Sequence, residues 1–190
     1  MKILTSDLHH KHKRICELTN RTKETTPENH DDWLVEIWNR DVSNQCEVWH
    51  TGDLSFASKY DDIAKFVSKL NGNINLVKGN HDKTEFLNRL KADGLINNWW
   101  DYKEIKISDH SVCLFHFPIQ SWYKQGYGSW HLHGHSHGNL KNPQGKILDV
   151  GLDNSYNLYG KHKFFTEEDI EIYMQSKSIV VTDHHKEISC

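Results

Sequence analysis

Several things that would settle the class of this chain are missing from it. Prolines number 3 in 190 residues, and neither they nor the 11 glycines gather into a linker or a low-complexity tract, so nothing divides the chain into separate units. The four cysteines, Cys16, Cys46, Cys113 and Cys190, contain no C-x-x-C pair, which argues against both a thiolate zinc site and a disulfide framework. No stretch reaches the roughly 20 consecutive apolar residues of a membrane-crossing helix, and the polar Ser6-Asp7 comes too early for the apolar segment of a secretory signal. Neither charge dominates: 23 Lys plus Arg against 26 Asp plus Glu leave a formal −3. That excludes a nucleic-acid binder held by bulk positive charge, while a local basic patch stays open. These absences lead to the expectation of a cytoplasmic protein with no membrane partner.

What the chain has in excess is histidine, with 15 residues. Histidine titrates near neutrality and is the commonest metal ligand, so its distribution matters. Apolar patterning supplies the frame. Residues 2–5, 47–50 and 74–78 read as short buried strands. Helical spacing recurs in Trp33, Leu34, Ile37 and Trp38, and again in Ile63, Phe66, Val67 and Leu70, with Gly72 expected to terminate a helix over 60–70. A further helix is expected over 84–91. This alternation of strand and helix argues for crossover units and a largely parallel sheet. The second half is richer in strands: 102–107 and 111–117 read as a hairpin around Ser108-Asp109-His110, followed by strands at 130–133 and 146–150. A closing helix is expected over 164–174, with Thr166 as N-cap and Asp169 at the capping-box position. Asp149 and Asp153 flank Gly151 in an expected loop and receive no role, and the tail from Ile179 through His185 receives no assignment.

The polar signals share one position, because each follows an apolar strand. Asp7-Leu8-His9, Gly52-Asp53, Gly79-Asn80-His81-Asp82, His116 and Gly134-His135-Ser136-His137 all do so. In α/β sheets, loops at the carboxyl ends of neighbouring strands converge on one rim, where ligands bind. Carboxylate, imidazole and amide oxygen without thiolate suit Mn, Fe or Zn. Their number exceeds what one catalytic ion with an open position needs, so two ions sharing a carboxylate are expected.

In this order, those motifs resemble the calcineurin-like metallophosphoesterase superfamily over roughly residues 3–153. The chain is particularly similar to small stand-alone bacterial and phage members. In these a further His follows Asp-x-His three residues on (His12 here), and a His-x-Pro-x-x-Ser-Trp stretch occurs (His116 to Trp122). The resemblance implies an α/β fold, a four-layer αββα sandwich of two mixed β-sheets flanked by helices. A single domain over 1–190 is expected, with the motif-bearing core at about 1–153 and a peripheral segment at about 164–190. It implies hydrolysis of phosphate mono- or diesters by in-line attack of a metal-bridging hydroxide, with two divalent ions, Mn first and Fe, Zn or Ni as alternatives. Asp7, His9, Asp53 and His137 would hold one ion, Asp53 would bridge, and Asn80, His116 and His135 would complete the second site. Asn80 would also bind the phosphoryl oxygens, and His81 would protonate the leaving group, a contribution typically worth about 10²–10⁴ in rate.

The chain departs from the pattern in two places. His10-Lys11 stands where small relatives carry Phe-Gly, and Phe56 stands where many phosphatases carry an Asp that orients the acid histidine. Adjacency alone makes Asp82 the candidate partner of His81. His12 reads either as a contact to substrate phosphate or as a surface residue, and Trp122 and Tyr123 either as a stacking platform for a nucleobase or as packing. Lys11, Lys13 and Arg14 either steer phosphate or form a solvated face. His131 and His133 alternate along a strand and read as structural. The expected substrate is a small phosphoester or nucleotide. Alternatives are a nuclease or cyclic-nucleotide phosphodiesterase acting on nucleic acid or its relatives, and a non-enzymatic interaction module, which the full set of ligand positions argues against.

Overall fold

The computed structural model describes residues 1–182, so His184, His185, Cys190 and the end of the unassigned tail lie outside the described residues. Two mixed sheets face each other, flanked by helices. The first takes its strands from Lys2–Thr5 (β1), Glu47–His50 (β2), Asn73–Val77 (β3), Asn98–Trp100 (β4) and, after the second sheet in sequence, a two-residue strand Phe165–Thr166. The second contains Tyr102–Ile107 (β5), His110–Phe115 (β6), Trp130–His133 (β7) and Ile147–Asp149 (β8); Phe165–Thr166 is then β9. The orders are β4-β3-β2-β1-β9 and β5-β6-β7-β8. β1 to β4 run parallel and β9 antiparallel to β1; β5 and β6 form the expected hairpin, and β6, β7 and β8 run parallel.

Strand alternation sorts the apolar residues into layers. Ile3, Val48, Ile74 and Leu76 face outward onto helices His30–Asp41 (α2), Tyr60–Val67 (α3) and Thr84–Ala92 (α4), which return Leu34, Trp38, Ile63, Phe66, Leu87 and Leu90. A four-residue helix, Ile15–Leu18 (α1), precedes them. Leu4, Trp49 and Val77 face inward and meet Val112, Leu114, Leu132 and Leu148 of the second sheet. Each such side chain, fully buried, stabilises the fold by about 1.5–3 kcal/mol. Helix Glu167–Gln175 (α6) closes one edge of this inner layer with Ile170 and Met174. Its start carries the expected capping box: Asp169 N–H donates to Thr166 Oγ1 at 3.1 Å, and Thr166 N–H donates to Asp169 Oδ2 at 2.9 Å.

Three local expectations are corrected. The helix at 60–70 stops at Val67, and Gly72 (φ 92°) instead lies in the turn before β3, where a β carbon would stand 2.8 Å from Val42 Cγ1. Residues 98–100, which the apolar patterning assigns to no element, form β4 beside β3. Asp153 does not lie in a loop but in the first turn of helix Leu152–Tyr159 (α5).

On the outward face of the second sheet, Cys113 and Ile147 are covered by residues 118–129, with Trp122 buried among them. His131 braces this cover, with Nδ1 3.2 Å from Cys113 O and Nε2 3.2 and 3.3 Å from Phe117 O and Ile119 N. Burial pushes its pKa down to about 4, outweighing those backbone contacts. The unfolded chain takes up this proton near pH 6.5, so it binds more protons than the native state as pH falls from there toward 4. His131→Gln will therefore flatten the loss of stability between about pH 6 and pH 5 by close to one proton, or about 1.4 kcal/mol per pH unit. Urea titrations of the metal-free protein measure this, and an unchanged slope contradicts it.

Candidate functional site

The carboxyl ends of β1, β2 and β3 lie at one edge, and those of β6, β7 and β8 bring their following loops to it. Backbone hydrogen bonds knit the loops together: Asp7 N–H donates to Gly52 O (2.9 Å), His9 N–H to Asp53 O (3.0 Å), Gly134 N–H to His116 O (3.0 Å) and Leu152 N–H to Ser6 O (3.2 Å). The turns are tight. Asp7, His9, Asp53, His135 and His137 all adopt left-handed backbone conformations, with φ between 48° and 66°. Asp and His tolerate this better than most residues with a β carbon. Gly52 is obligatory at its place, since a β carbon there would stand 2.5 Å from His116 Nδ1.

Two groups of side chains result. Asp7, His9 and His137 offer atoms that all lie within 4.8 Å of one another, and so do Asp53, His116 and His135. In the first group, His9 Nε2 is 3.2 Å from His137 Nε2 and 3.6 Å from Asp7 Oδ1. Beside the second, Asn80 Oδ1 is 2.9 Å from His116 Nε2 and 3.0 Å from His135 Nδ1. Asp53 Oδ2 stands between the groups, 3.8 Å from His9 Nε2 and 3.5 Å from His116 Nε2.

Hydrogen bonds on the far side of the rings test whether cations fit. His137 Nδ1 is 2.7 Å from Asp153 Oδ2, and His116 Nδ1 is 2.8 Å from Thr51 O. With those nitrogens donating, Nε2 of each neutral ring is a lone pair. One faces another imidazole nitrogen and the other faces an amide oxygen, an arrangement that repels unless a proton or cation intervenes. Metal-ligating histidines are oriented by this kind of outer hydrogen bond. The donor set fits two divalent ions of the Mn, Fe, Zn or Ni type.

The electrostatics agree in direction. Burial pushes the Asp7 carboxyl up, but the hydrogen bond to His9 and the neighbouring His137 outweigh it and hold it well below the usual range. Asp53 is likewise lowered against burial, chiefly by His116, whose own pKa is raised against burial by Asp53.

The other expected residues divide. His81 lies at the rim: its N–H donates to Asp53 Oδ1 at 2.9 Å, and its ring lies 4.1 Å from that of Phe56. Asp82 does not orient it. Its carboxylate accepts from the backbone N–H groups of Asp53, Gly79 and Leu54 at 2.9, 2.9 and 3.0 Å, tying two ligand loops together. His12 stands beside the first group, 5.6 Å from His9 between ring centroids, and borders a cavity of about 390 Å³ with Lys11, Lys13, Glu28 and Asp31. Trp122 does not line the rim: it is buried against Cys113 and Ile147, with its indole N–H donating to Ser129 O at 3.2 Å. Tyr123 follows it on that outer face, exposed, its carbonyl accepting from Ser129 Oγ at 2.5 Å, and it belongs to neither ligand group.

The sequence hid the support behind the first group. Arg21 is fully buried and places all five N–H donors: on both Asp153 oxygens (2.9 and 2.9 Å), on His30 Nε2 (2.9 Å) and on the backbone carbonyls of Asp7 and Leu8 (2.5 and 2.7 Å). Asp153, held far below the usual carboxylate range by Arg21 and His137 against the pull of burial, passes this anchoring to His137. Asp149 is pushed up to about 7 by burial and the Asp7 charge, and it accepts from Gly138 and Gly151 N–H at 2.8 and 2.7 Å.

Fold and site together define an α/β sandwich that carries a carboxylate–imidazole–amide cluster on the loop rim of its two sheets. No family model matches the sequence. Similar proteins include the Gene 66 protein of Mycobacterium phage L5, 29% identical over 178 residues that span 78% of this chain and 84% of that protein. Another is protein MJ1445 of Methanocaldococcus jannaschii, 28% identical over 157 residues that span 79% and 80% respectively. Among solved structures, the protein of unknown function AQ665 from Aquifex aeolicus matches with a TM-score of 0.68 at 21% identity, covering 91% of this chain and 98% of that one. That likeness shows a shared fold.

Proposed function

We propose that this protein is a phosphoesterase that works with two divalent cations, a reading in line with its resemblance to the calcineurin-like metallophosphoesterases. The observation that carries it is the pair of ligand groups with lone pairs turned inward and one carboxylate, Asp53, between them. Asp7, His9, His137 and Asp53 would hold one ion, and Asn80, His116, His135 and Asp53 the other. When bound, the ions supply Lewis acidity toward the phosphoryl oxygens and toward the attacking water. Asn80 keeps its amide NH2 as a donor for a non-bridging oxygen. His81, 43% exposed and with Nε2 3.9 Å from Asp53 Oδ2, would hand a proton to the departing oxygen.

The cavity beside His12 has room for a leaving group of nucleoside size, which favours a small phosphoester or nucleotide as substrate. The exposed Lys13 and Arg14 next to it favour, as a second reading, a nuclease or cyclic-nucleotide phosphodiesterase. We place the protein in the cytoplasm. Among the described residues no helix is long and apolar enough to cross a membrane, and Cys16, Cys46 and Cys113 are buried free thiols, as a reducing compartment keeps them.

The test is direct. Chelator-treated protein will hydrolyse neither aryl phosphates nor nucleotides; Mn²⁺ will restore turnover, and calorimetry will count two ions. Undiminished turnover in excess chelator overturns the reading.

A further inference from the structure

We propose that Phe56 is the positioning residue for proton donation by His81; the proposal rests on the phosphoesterase reading above. His81 projects from the loop after β3 with its side chain 43% exposed, and its Nε2 stands 3.9 Å from Asp53 Oδ2, beyond hydrogen-bonding reach. Among the described residues its ring nitrogens have no hydrogen-bond partner. An exposed imidazole so placed samples several rotamers and spends only part of its time aimed at a reacting group. Here the ring is confined by packing. The Phe56 ring lies 4.1 Å from it at 35°, a tilted face-to-face contact.

Phe56 is itself held from several sides. Its N–H donates to His10 O at 2.7 Å, and its ring meets the His12 ring edge-on at 4.3 Å and the His9 ring at 5.1 Å. It thus occupies the centre of three histidines, one a ligand candidate, one at the cavity mouth and one the proton donor. A phenyl ring also has no lone pair to accept a hydrogen bond from the imidazole. It fixes the plane of His81 while leaving the imidazole proton free for the substrate.

The step balances as follows. The oxygen of water forms a new bond to phosphorus and gives up one proton to solvent, while the ester P–O bond breaks, its electron pair going to the leaving oxygen. The His81 proton joins that oxygen, and the neutral imidazole regains a proton from solvent. Phe56 touches none of the reacting atoms. Its effect must therefore appear only where the leaving oxygen needs a proton.

The experiment compares wild type, Phe56→Leu, Phe56→Tyr, His81→Ala and the Phe56→Leu/His81→Ala double variant, all reconstituted with Mn²⁺. The substrates are a nucleoside monophosphate or alkyl phosphate and 4-nitrophenyl phosphate, whose leaving group hardly needs protonation. Phe56→Leu should lower kcat about tenfold on the alkyl or nucleoside ester and less than about twofold on the nitrophenyl ester, a fraction of the roughly 10²–10⁴ of a general acid. KM and the two bound ions should be unchanged. Phe56→Tyr should restore the rate, and the double variant should match His81→Ala. Without substrate or metal, the His81 ring protons should resonate upfield in wild type and Phe56→Tyr, through the ring current of residue 56, and lose that shift in Phe56→Leu.

Equal losses on both esters, loss of a bound ion, or an additional loss in the double variant overturns the proposal and leaves the phosphoesterase reading standing. A wild type that, with two ions bound, hydrolyses neither these monoesters nor the corresponding alkyl and 4-nitrophenyl phosphodiesters overturns both.

Discussion

Replacing Asp53 with Asn will cost at least about 10³ in kcat/KM, equivalent to roughly 4 kcal/mol of barrier. The side chain is 2% exposed, and its Oδ2 is the one carboxylate oxygen within 4.0 Å of His9, His116 and His81 alike among the described residues. Asparagine keeps an oxygen that can accept from His81 N–H, now at 2.9 Å from Asp53 Oδ1, so the loop retains its shape. What disappears is the negative charge shared by the two ligand groups, and a neutral amide oxygen binds a divalent ion far less well than a carboxylate. Calorimetry with Mn²⁺ should then count fewer than two ions, while the unfolding midpoint of the metal-free protein stays near wild type. Retention of both ions with turnover within about tenfold of wild type would contradict the shared position.

Arg21→Met will destabilise the metal-free protein by about 3–5 kcal/mol, the typical result of removing one partner from a buried ion pair. Against the 5–15 kcal/mol that holds most domains together, this is a large fraction. Methionine fills much of the volume but leaves Asp153 as a buried charge facing only His137, and it strips the carbonyls of Asp7 and Leu8 of their donors. The double variant Arg21→Met/Asp153→Asn should recover part of the loss, because the uncompensated charge is then gone. Urea denaturation of wild type, Arg21→Met, Asp153→Asn and the double variant measures the cycle. A loss below about 1 kcal/mol for Arg21→Met would show that solvent or neighbouring groups replace the guanidinium.

These two residues also mark how far the sequence could be read. Asp53 was legible because it follows a strand whose apolar run, Val48-Trp49, is unambiguous, and a glycine precedes it. The same logic located Asp7, Asn80, His116, His135 and His137, each just past the end of a short buried strand. Arg21 was not legible. It sits in a polar stretch with no periodicity, and an arginine there is ordinarily solvated. Only the closed geometry shows that its guanidinium passes beneath the first ligand loop. α5 escaped for a related reason: Leu152, Tyr156, Leu158 and Tyr159 make an indistinct apolar face, so Asp153 read as loop. Trp122 failed differently. Strand period and aromatic content establish that a side chain is buried, but they do not say on which side of a sheet, and here the outer face received it.

Of the nine non-glycine residues with left-handed φ among the described residues, five, Asp7, His9, Asp53, His135 and His137, crowd on this rim. A residue with a β carbon is held there at an energetic cost that glycine escapes. Selection for heat resistance alone would therefore reward the loss of these very side chains, and variants improved in that way would emerge sturdier and inert. Any programme to harden this protein has to screen for metal binding and for the proposed turnover at every round, because at these five positions durability and usefulness pull in opposite directions.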